Sequence, residues 1–370
     1  MERNLQASRI ALFSVVLVAG GSLAWWYQNR PSYLLYQAHN ELGQGNQSGV
    51  IAEYRRLLSQ KGLSHEDEIK FRKALGEFYV RALQESDGIS LSYTNAYEVE
   101  NPFINDAKQE FNRVLALEPS DPLSHYYLGR ILWIQHLESY AIDELNEARR
   151  DDPKNPDPLW FLSLIQLERA DASSARELAL QALAIRPDFD EARMALVEAY
   201  AALGDHDNAL KEYDRLSFSF KENPDTKAKH ALYLSEQNEW EEADRTIEEA
   251  SHAAPNNGRV KIIYGRLLLE RGLIEEAYGQ FSQSAALMPR NVWPLVWQVK
   301  ALSLRGQCEE AGRLSQILVE GLPRWGWSHL VNAWSQLCKG NDAVALAVAL
   351  QINSKNKEVL AWRAKIHPVN

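Results

Sequence analysis

The chain has 370 residues, of which 45% are hydrophobic and 24% charged, and its formal net charge is -10. This balance is that of a folded protein rather than a disordered one. An acidic chain without a clustered basic face is a poor nucleic-acid binder, since neutralising phosphates needs grouped Lys and Arg, and no nucleic-acid partner is expected. The two cysteines, Cys308 and Cys338, lack the CxxC spacing of zinc or redox sites. A disulfide between them is left open.

Residues 10–27 form an almost wholly apolar run. As a helix such a run is about 27 Å long, which is enough to cross the hydrocarbon core of a bilayer. Arg3 and Arg9 precede it, which favours a cytoplasmic N-terminal tail over residues 1–9. The run ends in three aromatic residues of the kind found at membrane interfaces, which are Trp25, Trp26 and Tyr27.

This pattern predicts a single-pass signal-anchor helix with the rest of the chain across the membrane, facing the periplasm if the source is a Gram-negative bacterium. A cleaved signal peptide is the alternative, because Ser22, Leu23 and Ala24 make a small-x-small cleavage site. A buried soluble helix is disfavoured, since no polar face interrupts the apolar run.

We expect residues 31–120 to form two helix pairs that are less regular than those in the rest of the chain. Ser64 is followed three residues later by Asp67, which predicts a helix that starts with a capping box. That helix is expected to end before an insertion at 88–102, and its partner helix is expected at 103–117. A loop as long as this insertion is usually either functional or disordered, so a partner-binding role for it is left open.

Alanine recurs every 34 residues through the remainder of the chain, at Ala107, Ala141, Ala175, Ala209, Ala243, Ala277, Ala311 and Ala345. Prolines follow the same spacing, at Pro119, Pro153, Pro187, Pro255, Pro289 and Pro323. The slot at Lys221 lacks its proline, and Pro224 follows three residues later. A fixed period of this length is the signature of a helical repeat array.

The spacing divides residues 121–357 into seven regular repeats, which begin near Pro122, Pro156, Asp190, Pro224, Gly258, Val292 and Gly326. In each, a first helix of about 13 residues leads through a polar turn to a second helix that carries the periodic alanine. The second helix ends near the periodic proline, because proline lacks the N–H of a continuing helix. Residues 358–370 are expected to form a capping helix and a tail over the last exposed face.

In each of the seven regular repeats the periodic alanine lies 12 positions after another small or compact residue, as Ala141 does after Gly129 and Ala277 after Gly265. Two facing small residues let antiparallel helices approach closely. A bulky side chain at Ala243 or Ala277 is therefore expected to overpack the helix crossing.

Counted from the first residue of a repeat, the pattern is a small or compact residue at place 8, an aromatic or aliphatic one at 11, Ala at 20, a large apolar one at 24 and, in five of the seven repeats, Pro at 32. The fullest example contains Gly129, Leu132, Ala141, Leu145 and Pro153. The pattern resembles the tetratricopeptide repeat over residues 31–356, as about nine repeats with the second interrupted. The resemblance implies an all-α, right-handed superhelical solenoid of antiparallel helix pairs, after the N-terminal transmembrane helix.

The resemblance also implies that the first helices line a concave groove with places 2, 5, 9 and 12. The groove residues carried over to this chain are Leu123, Tyr126, Arg130, Trp133, Trp160, Leu164, Leu167, Trp293, Val296, Trp327, Leu330 and Trp334. Place 9 of other repeats holds Glu198, Arg266 and Lys300. Chaperone-binding members of the family hold a peptide carboxylate with Lys and Asn at places 5 and 9. No Asn stands there, so that ligand is disfavoured.

Aromatic residues occupy many of these places at both ends of the array. Because Trp and Tyr supply rigid contact area, the expected ligand is an extended or helical peptide with apolar anchors. At least two of five aromatic residues are expected to be exposed, namely Tyr126, Trp133, Trp160, Trp293 and Trp334. The alternative is that these residues form the core between repeats.

The sequence holds no Gly-rich phosphate loop after a strand, no GxSxG and no HExxH, so we expect neither an enzyme nor a cofactor or metal site. It predicts a membrane-anchored scaffold that binds other proteins, in assembly of an envelope or membrane complex such as polysaccharide export or cytochrome maturation. Two alternatives stay open, a permanent structural subunit of a large membrane complex and a cytosol-facing organelle import receptor.

Overall fold

The computed structural model describes residues 34–35, 37–38, 41, 46–87, 102–135, 137–289, 291–322 and 326–341. Over these ranges the protein consists of helices, without a strand. It divides into two compact units, which are treated separately below. The N-terminal unit comprises Met1–Ala82 and Asn105–Pro119, and the C-terminal unit comprises Leu83–Ile104 and Ser120–Asn370.

The N-terminal unit is built around α1 (Gln47–Leu58), most of α2 (His65–Asp87) and most of α3 (Pro102–Leu117). The Ser64 cap predicted at the start of α2 is confirmed, but its bond from Asp67 differs from that of a capping box, in which the acidic side chain accepts from the backbone N–H of the cap residue. The Asp67 backbone N–H donates to Ser64 Oγ at 3.1 Å, and the Ser64 hydroxyl donates to Asp67 Oδ2 at 2.7 Å. Of the predicted insertion, residues 88–101 lie outside the described residues, and Pro102 is the first residue of α3.

The C-terminal unit contains first and second helices in alternation, as the period predicts. The first helices are α4 (Pro122–Ile134), α6 (Asp157–Glu168), α8 (Asp190–Ala202), α11 (Pro224–Glu236), α13 (Gly258–Glu270), α15 (Trp293–Leu304) and α17 (Gly326–Cys338). The second helices are α5 (Glu138–Asp151), α7 (Ala172–Ile185), α9 (His206–Asp214), α12 (Trp240–Ala253), α14 (Ile274–Leu287) and α16 (Cys308–Gly321). Each of these second helices packs on the first helix before it, and the next first helix packs beside that pair at most junctions. Before α11 the contact is made by side chains, as between Tyr213 and His230.

The periodic alanines lie where the two helices of a repeat cross. Six of them are fully buried, at 0% exposure, which are Ala141, Ala175, Ala209, Ala243, Ala277 and Ala311. Opposite them, a Cβ placed on Gly129 would come within 2.7 Å of Leu145 Cγ, and one on Gly265 would overlap the ring of Phe281. The predicted close approach is therefore present in these two repeats, but the glycine makes room for a large side chain, Leu145 or Phe281, that lies four residues after the periodic alanine. Ala345 lies outside the described residues.

In the turn between the two helices of a repeat, one residue has a left-handed backbone conformation, and this residue recurs every 34 positions. Gly204, Gly272, Gly306 and Gly340 have φ between 72° and 80°, and the same place is held by Ala170 (φ 57°) and Asn238 (φ 65°). Glycine reaches this region without strain because it has no Cβ. The left-handed residue ends the first helix and turns the chain toward the second.

The repeat that lacks its proline is also irregular in structure. Helix α9 ends at Asp214 after nine residues, and the four-residue α10 (Phe218–Lys221) follows before α11 begins at Pro224. Ser217 joins this connection to the preceding first helix, since its backbone N–H donates to Asp190 Oδ1 at 3.1 Å. Proline is favourable at the first position of α11, because a backbone N–H at that position would make no hydrogen bond within the helix.

Cys308, at the start of α16, and Cys338, at the end of α17, form a disulfide with their Cα atoms 5.3 Å apart. The sequence alone did not decide whether this disulfide forms, and the structure contains it. It ties the second helix of one repeat to the first helix of the next.

No helix in the described ranges combines the length and the apolar character that crossing a membrane requires. This finding corrects the predicted single-pass membrane localisation. The apolar run at 10–27, with Trp25, Trp26 and Tyr27, lies outside the described residues, as does the predicted cap at 358–370.

Candidate protein-binding surface

The twelve predicted groove residues fall into two groups by burial. Six are buried, which are Tyr126, Arg130, Leu164, Val296, Leu330 and Trp334. Six are partly exposed, which are Leu123, Trp133, Trp160, Leu167, Trp293 and Trp327. Val296 has 0% exposure and belongs to the apolar cluster between α15, α16 and α17. A ligand therefore has no access to its side chain in this conformation.

None of the five aromatic residues expected at the surface is freely exposed. Tyr126 and Trp334 are each 5% exposed, whereas Trp133, Trp160 and Trp293 are partly exposed. All five pack against buried clusters of the C-terminal unit, so they contribute to the core between repeats. The three partly exposed tryptophans also reach the surface, and their role in binding stays a prediction.

Arg130 is surrounded by aromatic rings. Its guanidinium Cζ lies 5.1 Å from the ring centroid of Tyr126 and 5.6 Å from those of Tyr127 and Phe161. It donates a hydrogen bond of 3.2 Å to the Tyr126 hydroxyl, while its buried Nε has no hydrogen-bond partner. Burial raises the pKa of Tyr126 to about 12, so the phenol stays neutral and supplies no negative charge to Arg130.

The contacts of Arg130 belong to a recurring inter-repeat relationship between place 9 of one first helix and place 6 of the next, 31 positions later. Arg130 lies over Phe161 in this way, and Arg266 Cζ lies 4.9 Å from the centroid of Trp297. At the corresponding pair in α8 and α11, Lys229 Nζ donates to Glu198 Oε1 at 2.6 Å. Two further pairs are apolar and lie within single hydrophobic clusters, Leu164 with Ala195 and Leu232 with Ile263.

Tryptophans and one lysine continue this row toward the C-terminal end. Lys300 Nζ lies 5.3 Å from the centroid of Trp297 and 5.0 Å from that of Trp334, so it stands between two indoles. The centroids of Trp297 and Trp334 are 6.3 Å apart, and Trp327 contacts Trp334 edge-on at 6.4 Å. Cation–aromatic contacts of this geometry contribute about 0.5–2 kcal/mol each, depending on solvent exposure.

Trp297, Phe161 and Lys229 were missed in the sequence because place 6 was not among the groove places carried over. A signal for them exists. At three of the four charged residues at place 9, the residue 31 positions later complements the charge, as Trp297 does for Arg266 and Lys229 for Glu198; the exception is Lys300, which is followed by Val331. Of the predicted place-9 residues, the structure thus joins Arg130, Glu198 and Arg266 to the next repeat.

In the part of the chain that the structure describes, no three His, Cys, Asp or Glu side chains are grouped as metal ligands would be. What the surface offers is contact area and charge. Partly exposed indoles can bury apolar side chains, and guanidinium and ammonium groups can donate to carboxylates.

These observations define a protein of the α-helical repeat class, in which consecutive helix pairs share buried crossings at a fixed period. Residues 98–156 and 229–290 match a family model described as a tetratricopeptide repeat, and residues 166–233 match a second model of the same description. The chain therefore contains tetratricopeptide repeats, as its periodicity predicted.

No curated protein matches the sequence. Among solved structures, the crystal structure of yeast Tom70 is similar with a TM-score of 0.50 and 13% identity, over 93% of this chain and 91% of that one. The APC/C hetero-tetramer Cut9-Hcn1 is similar with a TM-score of 0.50 and 14% identity, over 89% and 66% of the two chains. MamA matches with a TM-score of 0.37 and 19% identity, over 50% and 87%. At these identities the likeness to Tom70 and Cut9-Hcn1 concerns the fold alone.

Proposed function

We propose that this protein is an interaction scaffold whose first helices bind a peptide or helix of a partner protein during assembly of a multiprotein complex. The observation that carries the proposal is the pair of partly exposed tryptophans Trp133 and Trp160, on the adjacent first helices α4 and α6. Indoles that are partly buried in a rigid cluster are already ordered, so binding an apolar side chain against them costs little further entropy.

The tetratricopeptide repeats support a protein partner. The packing of the repeats supports a rigid binding surface, since α4 and α6 are each fixed by contacts to their own second helix and to the next first helix. Binding on a preformed surface of this kind is expected to order the ligand rather than the scaffold.

The test is affinity capture from an extract of the source cells with tagged wild-type protein and with the double variant Trp133→Ala, Trp160→Ala. We expect the double variant to lose specific partners that mass spectrometry identifies in the wild-type capture. The matched control is Trp240→Ala, because Trp240 is also partly exposed but lies on the second helix α12. Retention of every wild-type partner by a folded double variant would refute the proposal.

A further inference from the structure

The junction between the repeat α8–α9 and the helix α11 differs from the other junctions of the array. At the other junctions between the described repeats that begin with α4 to α17, the backbone of a first helix comes close to both helices of the repeat before it. The backbone of α11 does not approach α8 or α9 in this way, and of the preceding helices only the short α10 comes close to it. Two blocks of closely packed helices, α4–α9 and α11–α17, therefore meet at a junction that is filled by side chains.

The connection between these two blocks is also longer than the connections beside it. Residues 215–223 join α9 to α11 and contain α10, whereas the connections at the neighbouring junctions, 186–189 and 254–257, contain no helix. Helix α9 ends after nine residues, and the second helices on either side of it have fourteen. A shorter helix and a longer connection restrain the relative orientation of the blocks less, and hinges in proteins lie in connections of this kind.

The side chains that fill the junction are aromatic and polar. The Tyr213 ring of α9 stacks on the His230 ring of α11, with centroids 3.9 Å apart and 12° between the planes. The Tyr233 ring lies 6.4 Å from that of His230, and its hydroxyl donates a hydrogen bond of 2.6 Å to the backbone carbonyl of His206. Tyr213 and Tyr233 share an apolar cluster with Met194 of α8 and are 7% and 5% exposed. His230 is therefore held in the junction by one ring from each block.

The environment of His230 disfavours its charged form. Burial in the junction is the largest influence and lowers the pKa of His230 to about 4. Glu242 of α12 and Asp214 of α9 act in the opposite direction and favour the imidazolium, whereas Lys221 of α10 opposes it. Separation of α11 from α9 would admit water to the ring, and the pKa would return toward the usual 6.5.

Other ionisable groups face the same junction. Burial raises the pKa of Tyr213 to about 12 and also raises the pKa of Tyr233, so neither phenol titrates between pH 5 and pH 7.5. On α8, the Glu198 carboxylate accepts a hydrogen bond from Lys229 of α11. His206 of α9 is another imidazole, and its ring lies 6.1 Å from that of Tyr233. A pH response of the junction must therefore be assigned between two histidines.

We propose that this junction is a hinge at which the blocks α4–α9 and α11–α17 separate, and that protonation of His230 favours the open arrangement. Because the open arrangement binds the proton more readily, the closed one is fully stabilised above pH 6.5 and loses that stabilisation as the pH falls toward 4. The equilibrium constant for opening should be about 30-fold larger at pH 5 than at pH 7.5. The inference is independent of the proposed function, since Trp133 and Trp160 both lie within the first block.

The reactivity of a buried cysteine measures the opening. Met194→Cys places a thiol at the junction, where the side chain is 4% exposed, and Val260→Cys places one in α13, at 0% exposure within the second block. Each variant is labelled with dithiodipyridine at pH 7.5 and pH 5, and its rate is divided by that of an exposed cysteine peptide at the same pH. When closing is faster than labelling, this ratio equals the equilibrium constant for opening.

We expect the ratio for Met194→Cys to rise about 30-fold between pH 7.5 and pH 5. It should exceed the ratio for Val260→Cys at both pH values, because the thiol in α13 is uncovered only when the second block unfolds. Combined with Met194→Cys, the substitution His230→Phe should abolish the rise, since phenylalanine cannot be protonated. The matched control His206→Gln removes the other imidazole and should retain the rise.

Circular dichroism establishes that each variant is folded. Leu216→Cys, at 4% exposure in the same apolar cluster, replaces Met194→Cys if that variant does not fold, and His230→Gln replaces His230→Phe in the same case. The hinge is wrong if the thiol at the junction reacts no faster than the thiol in α13. The role of His230 is wrong if the rise is absent, if His230→Phe keeps it, or if His206→Gln removes it.

Discussion

Lys229 Nζ donates a hydrogen bond of 2.6 Å to Glu198 Oε1. These residues stand at place 6 of one repeat and place 9 of the repeat before it, the same places that Trp297 and Arg266 occupy in their cation–aromatic contact. Both members of the ion pair are largely buried, with side chains 19% and 29% exposed. Removing one partner leaves the other charge poorly solvated, so we expect Lys229→Met alone to lower the free energy of unfolding by about 1–3 kcal/mol. Urea denaturation followed by circular dichroism measures this change.

The matched control for that prediction replaces both residues, as Glu198→Leu with Lys229→Ala, which copies the apolar pair Leu164 and Ala195 of a neighbouring repeat. Because a well-packed apolar pair often replaces a buried ion pair at little cost, the double variant should be within about 1 kcal/mol of wild type. A double variant that is less stable than Lys229→Met would show that the ion pair, rather than the packing at these places, holds the two repeats together.

Two glycines of neighbouring helices should respond in opposite directions to the same substitution. A Cβ on Gly265 would overlap the Phe281 ring, whereas a Cβ on Gly279 would meet no atom within 4 Å. We expect Gly265→Ala to destabilise the protein by about 1–3 kcal/mol through overpacking. Gly279→Ala should stabilise it by up to about 1 kcal/mol, because alanine favours a helix interior. Melting temperatures of the two variants decide this, and a rise for both would refute the packing described for the helix crossing.

The crossing of the two helices was predictable because it depends on residues within one repeat. Ala277 and Gly265 stand 12 positions apart in one repeat, and Gly265 packs against Phe281, four residues after Ala277. Exposure of the groove places was not predictable, because it depends on how the next repeat packs. Val296 is buried in a cluster that includes Leu330 and Val331 of the next repeat, and the Trp334 ring lies 6.3 Å from that of Trp297 in the preceding repeat. The contact between Arg266 and Trp297 also arises only when two repeats are stacked.

Ala170 occupies the turn place where four other repeats have glycine, and its φ of 57° is unfavourable for a residue with a Cβ. We expect Ala170→Gly to raise the free energy of unfolding by about 0.5–1 kcal/mol through relief of this strain. The reverse change at the same place of another repeat, Gly272→Ala, should lower it by a similar amount, since its φ is 73° and no atom crowds the site. Equal stability of Ala170→Gly and wild type in urea denaturation would contradict the strain.

The disulfide between Cys308 and Cys338 should stabilise the last described repeats. It joins residues 30 positions apart, and closing a loop of this length restricts the unfolded chain. We expect reduction, or the double variant Cys308→Ser, Cys338→Ser, to lower the stability of this region by about 2–4 kcal/mol. Thermal unfolding with and without reductant measures the change, and the double variant provides the control because it should not respond to reductant. A wild-type melting curve that is unchanged by reductant would contradict the prediction.

His230 gives the protein a dependence on pH that can be separated from that of the carboxylates. Its ring stacks on Tyr213 with centroids 3.9 Å apart, and burial lowers its pKa to about 4, against the usual 6.5. Since the unfolded chain binds the proton more readily, the stability contribution is complete above pH 6.5 and is lost as the pH falls toward 4. The loss of stability should be about 2 kcal/mol at pH 5 relative to pH 7.5.

The variant His230→Phe keeps the stacking and cannot be protonated, so it should not show this loss of stability in urea denaturation at the two pH values. The control His252→Phe changes an exposed histidine and should still show the loss of stability between pH 7.5 and pH 5. If wild type and His230→Phe lose equal stability between pH 7.5 and pH 5, the buried neutral imidazole is not the cause.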